Sequence, residues 1–140
     1  MSDDANAEQE ITVYEAAGGM PFFERLVAAF YEGVTHDPVL RPMYPDDDME
    51  GAARRLTLFL AQYWGGPTTY MEERGHPMLR ARHMPFDVGP TERDHWLLHM
   101  AAAVERETEP GEVRNRLMDY FVPAADMMRN DGLRVNRPPA

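Results

Sequence analysis

His83 stands in the stretch "LRARHMPFDVG", residues 79–89, between arginines and a Met-Pro-Phe triplet. An imidazole there could ligate a metal, move a proton or satisfy a buried carbonyl, and alone it is more often structural than a ligand. His95 and His99 lie four apart, which puts two imidazoles on one helical face at a spacing that suits zinc. No His-Glu-x-x-His sequence, cysteine or evident third ligand goes with them, so a surface pair is the simpler reading. Tyr31, Tyr44 and Trp96 carry donors that need partners when buried, although large core aromatics bonded to backbone or water would explain them equally well. The run Asp46-Asp47-Asp48 lacks the alternation, Gly and closing Glu of a calcium loop and reads as a solvated helix start. Nucleophile-elbow and phosphate-loop signatures are absent, and Gly18-Gly19 and Gly65-Gly66 read as turns between helices.

Composition narrows the field. The 140 residues suffice for one domain, and the net charge of −10 argues against nucleic acid or an anionic membrane as partner. With no cysteine, disulfides, thiolate metal sites and a thiol nucleophile are excluded, so any metal rests on His, carboxylate or Tyr. The acidic start "MSDDANAEQE" has neither the basic opening nor the apolar run of a signal peptide, and no stretch approaches the ~18 apolar residues of a membrane span. A cytoplasmic protein is expected, with residues 1–11 a disordered acidic tail, 12–131 the domain and 132–140 a C-terminal tail.

Four stripes at helical spacing define the elements that must position these groups. Phe22, Phe23, Leu26, Val27, Phe30 and Val34 predict a helix over 20–36, closed by the prolines of "DPVLRPMYPDDD". Ala52, Leu56, Phe59, Leu60 and Tyr63 predict one over 50–64, stopping at Gly65-Gly66-Pro67. Trp96, Leu97, Met100, Ala101 and Val104 follow Gly89-Pro90-Thr91 and predict a helix ending near Glu109. Val113, Leu117, Phe121, Ala124, Ala125 and Met128 form the fourth, with Pro123 inside it expected to kink or break the helix. No alternating strand pattern or internal repeat is visible, so the class is all-α. Residues 65–90 fit none of these helices, and a connection that long points to function; His83 lies in it.

The ordered series Gly18-Gly19, "FYEGV", "DPVLRPMYPDDD", "RLTLFLAQYWGGPTTY", "RGHPMLRARHMPF" and "ERDHWLLHM" resembles the truncated haemoglobins, specifically the second group, of the actinobacterial oxygen-binding type. The resemblance covers about residues 12–131. It implies a two-over-two helical sandwich around haem b, with the 20–36 and 50–64 helices packed on the third and fourth. It also implies that His83 is the axial ligand of the haem iron, carried by a loop that replaces most of the proximal helix, with the sixth position open to a gas. The distal position that holds histidine in many globins matches Ala52, so the hydrogen-bond donors to a bound gas fall to Trp96, Tyr31 and Tyr44, Trp96 first. Leu56 and Phe59 would line the floor over the haem, and Met84 and Phe86 would pack on its proximal side. Arg82, Arg55 and Tyr70 are candidates to anchor the propionates. Thr68, at a place often basic, Pro123 and the acidic N-terminal extension depart from the common pattern without touching this set.

Three functions follow. The first is binding of dioxygen and other small diatomic ligands such as carbon monoxide. The second is a haem enzyme carrying out nitric oxide dioxygenation, which requires an unidentified reductase, or peroxide reduction, for which Ala52 leaves no distal base. The third is a helical interaction module without haem. The eleven methionines and exposed apolar faces also leave room for a homodimer.

Overall fold

The computed structural model describes residues 11–44 and 47–131. The expected tails at 1–11 and 132–140 therefore lie almost wholly outside the described residues; Ile11, within them, is exposed. Seven α-helices occur among the described residues: α1 (Val13–Ala17), α2 (Met20–Thr35), α3 (Met49–Tyr63), α4 (Thr69–Arg74), α5 (Leu79–His83), α6 (Pro90–Glu107) and α7 (Glu112–Met127), with a 3-10 turn at Arg41–Met43 between α2 and α3. No strand occurs among them, and none of the helices is long and apolar enough to cross a membrane.

Helix α2 packs against α6 and α3, and α6 packs against α7, which makes the two-over-two sandwich; α1 rests on α7 and α4 on α3. The reason lies in the α2 stripe, whose Phe22, Phe23, Leu26, Val27, Phe30 and Val34 are all at most 1% exposed. They meet Leu60 and Ala61 of α3, Met100, Ala103 and Val104 of α6, and Leu117 and Phe121 of α7 in one core. Burying a side chain of this size contributes roughly 1.5–3 kcal/mol, which outweighs what helix propensity alone supplies. Gly18 (φ 121°) and Gly19 (φ 75°) sit in left-handed backbone between α1 and α2, and their N–H groups donate to the carbonyls of Glu15 and Tyr14.

Three expectations change. Residues 65–90, read as a long connection outside the four helices, carry two short helices of their own, α4 and α5. Helix α7 runs through Pro123 without a break. Pro123 and Asp119, whose carbonyl loses its helical donor there, are both exposed, so water can take the missing bond. Tyr63, counted with the α3 core stripe, is 51% exposed, its ring lying against Tyr120 at 4.2 Å between centroids.

Candidate haem cavity

Helix α5 is bounded by prolines, Pro77 before it and Pro85 after it. Met78 caps it with φ 47° and ψ 50°, left-handed backbone that a non-glycine residue adopts only under constraint. The Arg82 side chain holds this entry: Nε donates to the Pro77 carbonyl at 2.7 Å and an Nη donates to that of Arg74 at 3.3 Å. His83 closes the helix, with Nδ1 at 2.6 Å from the Leu79 carbonyl. That carbonyl can only accept, so Nδ1 carries the proton and Nε2 keeps its lone pair for a ligand.

His83 lines a cavity of about 200 Å³ together with Tyr31, Tyr44, Leu56, Phe59 and Trp96. The expected residues thus meet from α2, the turn after it, α3, α5 and α6. Leu79, Val88, Tyr120, Phe121 and Met128 complete much of the apolar wall, and Glu92 and Arg93 add polar groups. Of these, Arg93 is paired with Asp94 and Asp126, each at 2.6 Å, and Glu92 accepts the Gly89 N–H at 2.8 Å.

Trp96 is wedged between Phe30 and Phe121, with ring centroids at 5.3 and 5.9 Å. Tyr31 and Tyr44 meet edge to face at 5.4 Å. Burial, joined by the neighbouring Tyr44, drives the Tyr31 phenol far above the usual range. Burial also pushes Tyr44 up to about 12, although hydrogen bonding from Tyr31 and Trp96 pulls it the other way. Both phenols are therefore neutral donors at physiological pH, and neither can take a proton there.

The turn that carries Tyr44 is held by a contact that the histidine spacing alone did not reveal. His95 and His99 are not a free surface pair: His95 Nδ1 and His99 Nε2 both bond Asp37 Oδ2, at 2.8 and 2.6 Å. Asp37 Oδ1 accepts the N–H groups of Val39 and Leu40 at 2.8 and 3.3 Å. Burial alone would raise this carboxyl, yet the bonds from His95, His99 and the two amides outweigh it and hold it well below the usual carboxylate range. Gly33 of α2 leaves the room His99 occupies, since a Cβ there would meet the ring at 2.3 Å.

The other expected residues fall outside the cavity wall. Ala52 is buried on α3 and Tyr70 on α4, its ring edge to face with Phe59 at 5.6 Å. Arg55 pairs with Asp48 at 3.1 Å, and Arg82 is committed to the carbonyls described above. Met84 is half-buried, and Phe86, put on the proximal side from sequence, is 40% exposed. Sequence reasoning did not point to Arg93, Val88 or Tyr120, and it read Met128 only as part of the fourth helix's stripe, not as cavity wall. The register of α6 could have signalled Arg93, three residues before Trp96, and that of α7 could have signalled Met128, three after Ala125, and Tyr120, four before Ala124; Val88 lies before α6 and had no such signal.

An imidazole with an available Nε2, set in an otherwise mainly apolar, aromatic-walled cavity with neutral donors, is a donor set that fits haem. Comparison with known proteins agrees. The bacterial-like globin family model matches residues 12–130. The group 2 truncated haemoglobin YjbI of Bacillus subtilis is 46% identical over 117 residues, covering 84% of this chain and 87% of that protein. Among solved structures, a thermostable haemoglobin from Thermobifida fusca superposes with a TM-score of 0.84 at 55% identity, over 86% of this chain and 98% of that one. The group II truncated haemoglobin of Bacillus anthracis does so with a TM-score of 0.81 at 42% identity, over 86% and 92%. On this sequence match, this fold and this cavity, the chain belongs to the bacterial-like globins as a group II truncated haemoglobin, a family that binds haem.

Proposed function

We propose that the chain binds dioxygen and related diatomic gases on a haem held by His83, with Trp96, Tyr44 and Tyr31 supplying hydrogen bonds to the bound gas. The observation that carries this reading is the shared cavity: one imidazole with Nδ1 committed to Leu79 and, around the same space, three side chains that present neutral donors. When bound, haem supplies a reducible iron that takes a diatomic gas and leaves partial negative charge on it. His83 would hold that iron through Nε2, while its bond to Leu79 fixes the ring's tautomer and direction. The Trp96 indole can only donate, whereas each phenol can both donate and accept, so the neighbouring Tyr31 and Tyr44 can share one bond while a proton from either still reaches the gas. Each neutral bond of this kind contributes about 0.5–1.5 kcal/mol, felt mainly as slower release. The apolar wall of Leu56, Phe59 and Phe121 keeps water from competing.

A structure described as a truncated oxygen-avid haemoglobin from Bacillus subtilis, 42% identical with a TM-score of 0.80, supports the same ligand class. Peroxide reduction is less well served, because its first proton transfer needs a base, and the two cavity phenols stay protonated while Glu92 is turned to the Gly89 N–H. Nitric oxide turnover would use the same donors and draw electrons from a separate reductase.

Absorption spectra of the haem-loaded protein test the reading in the ferric state, after dithionite reduction and after addition of oxygen or carbon monoxide. A Soret band, five-coordinate ferrous iron and stable gas adducts are expected in the wild type. His83→Ala should lose normal haem binding or recover it only with added imidazole. An unchanged spectrum in that variant removes His83 from the role.

A further inference from the structure

Four hydrogen bonds converge on Asn130, two residues beyond the Met128 that caps α7. Its side-chain oxygen accepts the Val88 N–H at 3.0 Å, and its side-chain nitrogen donates to the carbonyls of Phe86 at 2.8 Å and His83 at 3.2 Å. Its own N–H donates to the Val88 carbonyl at 2.8 Å. Asn130 is 3% exposed and Val88 6%, so the two bonds between them are shielded from water, while those to His83 and Phe86 are partly buried. The amide orientation follows from its partners: an N–H needs the oxygen, and two carbonyls need the NH₂ group. Both amide protons and the oxygen are used.

The segment gripped in this way is the one leaving His83. The His83 carbonyl is held by Asn130 and by the Phe86 N–H at 3.0 Å, while the imidazole is held by Leu79. The residue is thereby fixed at its backbone and at its ring. Val88 and Met128 both line the cavity, so the bonds also join the two pieces of chain that close this side of it. Asparagine suits the position because its short side chain presents an acceptor and two donors in one plane.

We propose that Asn130 is a positioning residue for the iron ligand: its carboxamide sets the direction of His83 and with it the strength of the iron–histidine bond and the retention of haem. This rests on His83 being the ligand. Partners that orient a metal-ligating histidine change metal retention by about tenfold to a hundredfold when lost.

The test uses resonance Raman of the ferrous haem-loaded protein, the rate of haem transfer to a scavenging apoglobin, and amide exchange at Val88. Asn130→Ala removes every side-chain bond, whereas Asn130→Asp keeps the acceptor for Val88 and sets oxygen against the His83 and Phe86 carbonyls. Both should shift or broaden the iron–histidine stretching band and release haem about tenfold faster or more. Val88 exchange should rise in Asn130→Ala far more than in Asn130→Asp. Val27→Ala, a core truncation on α2 remote from these bonds, should lower stability and leave the band in place. Should Asn130→Ala fail to accumulate, Asn130→Asp carries the same comparison. A wild-type band and release rate in the Asn130 variants, or an equal change in Val27→Ala, overturns the positioning role and leaves His83 ligation standing. A wild type with no iron–histidine band, or a band that survives His83→Ala, overturns both.

Discussion

Asp37 is where a single substitution should separate two jobs of one side chain. One oxygen caps the turn after α2 through Val39 and Leu40, and the other joins that turn to α6 through His95 and His99. Asp37→Ala removes all four bonds. The two amides lose the acceptors that hold them at about 1 kcal/mol each, and Leu40, 2% exposed, cannot turn to water instead. The histidines, with side chains 36% and 20% exposed, recover part of their loss by hydration, leaving roughly 1 kcal/mol between them. The sum is about 3 kcal/mol, or a fall of about 10 °C in the thermal midpoint of a domain this size. Asp37→Asn keeps the acceptor for the amides and loses only the charged half, so it should cost about 1 kcal/mol and 4 °C or so. The assay is thermal unfolding of the haem-loaded protein at pH 7, followed by far-ultraviolet circular dichroism. The sign with pH follows from the carboxyl being depressed in the folded chain. Its contribution is complete above the unfolded value near ~3.9 and is lost as pH falls through the lower folded one. The gap between wild type and Asp37→Asn should therefore narrow below about pH 4. An Asp37→Ala midpoint within about 2 °C of wild type would refute the reasoning; equal losses in the Ala and Asn variants would refute the division of labour.

Other outcomes can be checked as directly. Trp96→Phe keeps the packing against Phe30 and Phe121 and removes the indole N–H, so stopped-flow oxygen release should quicken about tenfold, the equivalent of ~1.4 kcal/mol; an unchanged rate moves the donor role to the tyrosines. Gly33→Ala drives a methyl group into the His99 ring and should cost about 1–3 kcal/mol in urea unfolding. In a His99→Ala background the same change should cost far less, because the obstacle has gone.

Periodicity along the chain determined the four long helices and most of the core, because an apolar stripe of four or five turns has few ways to be buried other than against its like. Gly18-Gly19, Gly65-Gly66 and Pro90 marked the ends for the same local reason. Helices α4 and α5 were invisible to that signal, since five or six residues make too few turns to show a period and are helical only because their surroundings hold them. The long connection around His83 pointed to function, but only a motif spread over the chain singled the residue out as a ligand rather than a structural imidazole. The fold then decided its tautomer through Leu79 and brought it into one cavity with Tyr31, Tyr44 and Trp96. It also decided what sequence distance concealed: Asp37 meets His95 and His99 across 58 and 62 residues, and Asn130 reaches His83 across 47. A side chain's type is written in the sequence, but its partner is chosen by which helix faces pack together, and that choice belongs to the core.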